Sequence, residues 1–178
     1  MFTIRTATRA DIPALHALIE RSVRGLQHEY THAQREGALG HALGLDTQLV
    51  EDGTYFIASP DDDPNTIAGS GGWSFRQTLF GSDGGPGRIG AIMNPITDAA
   101  KIRAIFIDPA WARRGLGTQM LQHCEHAART AGFTRVEMGS TLTGYPLYRA
   151  KGYIEQKRVN VPLPNGETLV IIRMTKSL

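Results

Sequence analysis

Polar and apolar residues alternate over Phe2-Thr3-Ile4-Arg5-Thr6, the two-residue period of a strand. The period then lengthens, placing Ile12, Leu15, Leu18, Ile19 and Val23 on one helical face. Asp11 stands where a cap belongs and Pro13 in the first turn. A second helix is predicted over residues 31–43. Residues 55–58 and 66–69 read as strands, and the turn-forming run Asp61-Asp62-Asp63-Pro64-Asn65 between them makes the pair a hairpin. Residues 77–94 gather Gly81, Gly84, Gly85, Pro86, Gly87 and Gly90, which is too much glycine for regular structure and reads as a mobile surface loop.

Beyond that loop the signals sharpen. Residues 101–107 are β-rich and stop at Asp108-Pro109, because proline cannot donate to a continuing ladder. Leu116, Met120, Cys124, Ala127, Ala128 and Ala131 recur at helical spacing, and Gly132 supplies the stop. A strand over 134–138, a short helix over 146–150, a strand from Tyr153, a Pro164-Asn165-Gly166 turn and a final strand over 168–174 complete a mixed α/β succession.

Composition narrows the function classes. A chain of 178 residues supports one domain over residues 1–178 with a full core. Nineteen basic and 17 acidic residues leave a net charge of +2 without a run of like charges, so neither nucleic acid nor an anionic membrane is expected as a partner. The lone cysteine, Cys124, rules out an internal disulfide framework and fits a reducing compartment, with the cytoplasm as the expected location. No stretch approaches the roughly 18 apolar residues of a membrane span, and the alternating start does not read as a targeting signal.

The turn Arg113-Arg114-Gly115-Leu116-Gly117 lies between a strand that ends in proline and the first residue of an amphipathic helix. A helix start leaves backbone N–H groups unpaired and carries partial positive charge, so it attracts anions. Glycines 115 and 117 let a phosphate approach the main chain, and Arg113 and Arg114 add charge beside it. A dinucleotide fingerprint would need a third glycine where Met120 stands, and a P-loop would need Gly-Lys-Ser/Thr, which is absent. A plain helix cap is the alternative for an isolated turn of this kind.

The whole run from Ile105 to Thr118 resembles the acetyl-CoA motif of the GCN5-related N-acetyltransferases, the GNAT superfamily, in which an apolar strand, a proline and Gln/Arg-x-x-Gly-x-Gly/Ala open a helix. A second motif, Leu147-Tyr148-Arg149-Ala150-Lys151-Gly152-Tyr153, is similar to that family's late Tyr-x-x-x-Gly-Phe/Tyr signature. The resemblance covers essentially the whole chain. It implies a central, mostly antiparallel mixed sheet of about six to seven strands flanked by about four helices. It also implies acetyl-CoA as co-substrate, with no metal. The amides of Arg113, Arg114, Gly115, Leu116, Gly117 and Thr118 would hold the pyrophosphate. The strand Ile105-Phe106-Ile107 would pair with the thioester and pantetheine arm, mainly through the backbone of Ile105 and Ile107. Tyr148 would lie near the sulfur. Expected partners are a small-molecule amine or a peptide acceptor, and a homodimer is left open. Two positions depart from the family pattern: Ala112 replaces its Gln/Arg, and Thr141 replaces the asparagine that often precedes the tyrosine by seven residues.

Acetyl transfer to an amine needs a neutral amine, a donor for the developing oxyanion and a proton for the departing thiolate. The Ile105 N–H and the Tyr148 hydroxyl fit the last two tasks. His28, Glu29 and Glu137 are candidates for a general base, each equally readable as a solvated charge. Cys124 lies on the apolar stripe and reads as a buried, inert thiol. His123 and His126, or His28 and His32, share a helix face without the third ligand a metal would need. Trp73 and Phe75 could wall an acceptor pocket or pack in the core. A catalytically silent acetyl-CoA sensor is the competing function.

Overall fold

The structure, a computed structural model, describes residues 1–85 and 89–178. The chain opens with β1 (Phe2–Thr6) and α1 (Ile12–Leu26), continues through α2 (His32–Ala38) and α3 (Thr47–Glu51), and then forms β2 (Tyr55–Pro60), β3 (Gly69–Ser74) and β4 (Ala100–Ile107). It continues with α4 (Leu116–Thr130), β5 (Arg135–Ser140), α5 (Tyr145–Ala150), β6 (Ile154–Pro162) and β7 (Thr168–Ser177). The described residues form one seven-stranded sheet in the order β1-β2-β3-β4-β5-β7-β6. It is a mixed, mostly antiparallel sheet, in which only β4 and β5 run parallel.

Two apolar cores flank this sheet. One joins Leu15, Leu18 and Val23 of α1 to Tyr55, Phe106 and Ile171. The other joins Leu116, Met120 and Cys124 of α4 to Ile102, Met138 and Ile172. The helical stripes read from the sequence are therefore the faces that bury against the sheet, which is where most helix stability originates. Trp73 and Phe75 belong to the second core: the two rings meet edge to face at 6.0 Å, and Trp73 meets Phe133 in the same manner at 5.9 Å. Core packing, not an acceptor wall, accounts for both.

Several expectations need correction. The second helix stops at Ala38, because Leu39 turns extended and Gly40 takes a left-handed φ of 71°. Strand β3 begins at Gly69 and not at residue 66, since Thr66 folds back on Asp63 through its N–H and its hydroxyl. Helix α3 was not foreseen; its cap is Asp46, whose carboxylate accepts the Gln48 N–H at 3.1 Å. Asp11 precedes α1 as expected, yet its carboxylate turns back to Thr8 N–H and Arg5.

Where it is described, the glycine-rich segment and its flank make specific contacts. The Arg76 guanidinium pairs with Asp52, the Thr78 hydroxyl bonds both the N–H and C=O of Ile89, and Asp83 accepts from Thr47. Pro86 and Gly87, which helped define the expected mobile loop, lie outside the described residues together with Arg88. Among the described residues no helix is long and apolar enough to cross a membrane.

Candidate active site

Strands β4 and β5 pair at only two registers, Ala100 with Val136 and Lys101 with Glu137. Past those residues the two strands separate, and among the described residues one edge of β4 is left without a neighbouring strand. Backbone groups of successive residues in a strand point to opposite edges. Asp108 N–H reaches Ala68 O on the β3 side at 2.9 Å, so Ile107 and Ile105 direct theirs to the open edge while Phe106 pairs with Ser70. The Phe106 side chain is buried in the core.

A bulge deforms β4 at this point. Between Ser70 and Gly72 the register advances two residues on β3 and three on β4, and Ala104 adopts a left-handed φ of 52°. A non-glycine residue reaches that region only where its surroundings impose it. Here the buried Tyr55 hydroxyl donates to the Ala104 carbonyl at 2.8 Å and is itself within 2.9 Å of Ser70 Oγ. Burial raises the Tyr55 phenol above its ordinary value, keeping the donor proton in place.

From the end of β4 the chain turns through Pro109–Trp111, with Asp108 accepting the Ala110 N–H at 2.9 Å and pairing with Arg21 of α1. Arg113 at φ 63° and Gly115 at φ 83° are both left-handed, which wraps the turn tightly around the start of α4. Among the described residues, the amides of Arg113, Arg114, Gly115, Leu116 and Gly117 make no hydrogen bond. The Thr118 N–H is different: it bonds Gly115 O at 3.0 Å. Five consecutive donors without partners thus stand at the head of a fifteen-residue helix, and helix N-termini of this kind attract anions. Arg113 and Arg114 are exposed beside it, and the Arg114 guanidinium lies 4.8 Å from the centre of the Trp111 ring.

The two glycines of the turn have different reasons. A β-carbon at Gly115 would meet nothing within 4 Å, so that surface is open to a ligand. At Gly117 it would stand 3.3 Å from Leu147 Cδ2, so the missing side chain there admits α5.

A cleft occupies the separation of β4 and β5, bordered by Ile105, Phe106, Met138, Thr141 and Tyr148. Tyr148 is half-buried on α5, with its ring edge to face against Tyr153 at 5.9 Å. Its hydroxyl makes no hydrogen bond among the described residues. Burial, with Cys124 adding to it, raises the phenol above its usual value. The other wall comes from Leu79 and Phe80, which Arg103 pins by donating to Thr78 O at 3.0 Å and Gly81 O at 2.8 Å while pairing with Asp46. Gln27, at the end of α1, completes the lining.

The candidate bases lie elsewhere. Glu137 is buried between Lys101 and Arg173; burial alone would raise its carboxyl, but these two partners hold it below its ordinary value. His28 and Glu29 are exposed and do not border the cleft. Cys124 is fully buried and its thiol is raised by burial, which makes it a poor nucleophile. His123 packs against Phe56 at 4.4 Å, and among the described residues no three metal-ligating side chains cluster.

A family model described as acetyltransferase (GNAT) family matches residues 19–153. The chain belongs to the GNAT family. It is an acetyl-CoA-dependent N-acetyltransferase that acetylates an amine. At the sequence level no curated protein gives a significant match. Solved structures share the fold of this GNAT chain at low identity. A GCN5-related N-acetyltransferase from Rhodopseudomonas palustris is 18% identical with a TM-score of 0.71, covering 99% of this chain and 95% of that one. The PaiA N-acetyltransferase from Thermoplasma acidophilum, solved in complex with coenzyme A, is 12% identical with a TM-score of 0.65, covering 100% and 99%. A ribosomal-protein-alanine N-acetyltransferase from Brucella melitensis is 19% identical with a TM-score of 0.63, covering 99% of each chain.

In this GNAT chain, Ile105, Phe106 and Tyr148 share the cleft, and Arg113 to Thr118 run from the turn after β4 into the first residues of α4. Sequence reasoning did not find Tyr55, Gln27 and Arg103. Each matters through a partner, or the lack of one, far away in the chain, and no local motif marks that.

Proposed function

We propose that the chain transfers acetyl from acetyl-CoA to a primary amine by direct attack within a ternary complex. The observation that carries this reading is the row of five unpaired amides, Arg113 to Gly117, at one end of the open β4 edge that leads to Tyr148. In this reading the pyrophosphate rests on those amides. Thr118 contributes through its position at the helix start, since its own N–H is engaged. Ile105 and Ile107 offer backbone groups to the thioester and pantetheine arm, with Phe106 anchoring the strand between them.

The donor supplies an activated acetyl group. The chain's part is orientation and charge stabilisation. The Ile105 N–H polarises the thioester carbonyl, the amine nitrogen bonds to the carbonyl carbon, and the carbon–sulfur bond breaks. The amine sheds one proton to water, and the departing thiolate takes one up from water. Tyr148, raised above its ordinary 10, is a weaker acid than a thiol of about 8.5. Its hydroxyl therefore serves the departing thiolate as a hydrogen-bond donor and need not surrender its proton.

The test is to supply acetyl-CoA, screen an amine library for release of free thiol, and compare wild type with Tyr148→Phe. Turnover that falls on the order of 100-fold in the variant, with coenzyme A binding unchanged, supports the assignment. Turnover at the wild-type rate removes Tyr148 from the chemistry. Coenzyme A binding with no turnover on any amine favours the silent sensor.

A further inference from the structure

We infer that Gln27 is an acceptor-binding residue of this transferase, its side-chain carbonyl holding an N–H of the incoming amine while an apolar wall takes the amine's substituent. This rests on the transferase reading above. Gln27 follows α1 directly, and its backbone is fully engaged: its N–H donates to Val23 O at 3.3 Å, and its C=O accepts from Tyr30 N–H at 3.2 Å and from Arg35 Nη1 at 3.4 Å. The side chain has no such commitments. It is 9% exposed, it borders the cleft that holds Ile105 and Tyr148, and among the described residues its Oε1 is buried without a hydrogen-bond partner.

Buried amide carbonyls are almost always paired, because leaving one bare forfeits its hydration with nothing in return. An orphan at the border of a catalytic cleft is therefore a site awaiting a donor. A neutral primary amine has two N–H groups and one lone pair. One N–H given to Gln27 fixes the nitrogen and leaves the lone pair free to attack. A carboxylate at the same place would favour the charged ammonium, which has no lone pair. Leu43, Leu79, Phe80 and Ile171 line the same cleft, and no carboxylate does among its described residues. The acceptor class is thus a primary amine on an apolar group, in preference to an amine carrying a second cation.

The test uses acetyl-CoA with 2-phenylethylamine, L-leucinamide and 1,4-diaminobutane, measuring thiol release by wild type and Gln27→Leu. The expected result is a KM for the apolar amines raised roughly 5- to 10-fold in the variant, the worth of one hydrogen bond, with the acetyl-CoA KM unchanged. The melting temperature of the free variant should rise, because the unpaired carbonyl is gone. An unchanged amine KM, a lowered melting temperature, or preference for 1,4-diaminobutane overturns the proposal. Should no amine release thiol although coenzyme A binds, the transferase reading fails separately, and the melting temperature still decides whether Gln27 is an unpaired group or a structural one.

Discussion

The Tyr55 hydroxyl, on β2, donates across the sheet to the Ala104 carbonyl at 2.8 Å. That bond satisfies the group that the β4 bulge takes out of its ladder, and so holds the strand in the shape that turns Ile105 toward the cleft. Tyr55→Phe keeps the ring and leaves a buried carbonyl unpaired. Stability should fall by about 1–3 kcal/mol in urea titration, and the acetyl-CoA KM should rise several-fold. The donor term should respond more than the amine term, because the bulge shapes the edge proposed for the donor.

Gly115 and Gly117 should respond differently to alanine. At 115 the left-handed φ of 83° costs an L-residue roughly 1–2 kcal/mol, and the new methyl group projects into the open surface assigned to the pyrophosphate. Coenzyme A affinity by calorimetry should drop tenfold or more. At 117 the methyl group meets Leu147, and alanine's better helix propensity, worth about 1 kcal/mol, offsets that contact. Affinity there should change less than threefold. Equal losses at the two positions would contradict the division.

The pH profile should belong to the acceptor. Among the described residues bordering the cleft there is neither a carboxylate nor an imidazole, so the amine must arrive neutral or lose its proton to water. Then kcat/KM climbs tenfold per pH unit up to the amine's own pKa, about 8 for an α-amino group and about 10 for an alkylamine. The sign for Tyr148 is the reverse of a low-pKa acid: raised above 10, its phenol keeps its proton throughout this range and adds no descending limb below pH 10. Profiles for two amines of different basicity test this directly. A shared midpoint near 6 to 7 would reveal an enzyme base.

Features written in consecutive residues were legible. The apolar stripe of α4, the proline that ends β4, the glycine turn and the position of Tyr148 all follow from spacing within about ten residues, and the structure has them where the pattern put them. The two separated motifs also sufficed for the family and its sheet. Features that depend on distant partners were not legible. The separation of β4 from β5 reflects a pairing that stops after Lys101 and Glu137, which no local signal announces. The bulge at Ala104 is maintained from Tyr55, 49 positions away, and the contacts of Arg76 with Asp52 and of Asp83 with Thr47 at the glycine-rich segment have no local signal either. Gln27 has the character of an ordinary helix-end residue until its side chain is found buried and unpaired.

In the proposed function the donor's pyrophosphate rests on the amides of Arg113, Arg114, Gly115, Leu116 and Gly117, which make no hydrogen bond among the described residues. Amide NMR of the labelled protein titrated with coenzyme A tests it most directly. These five resonances should move downfield together and saturate with the calorimetric affinity, while dephospho-coenzyme A and coenzyme A give the same pattern in the turn. Binding that leaves the five amides unmoved, or moves a different segment, would contradict it.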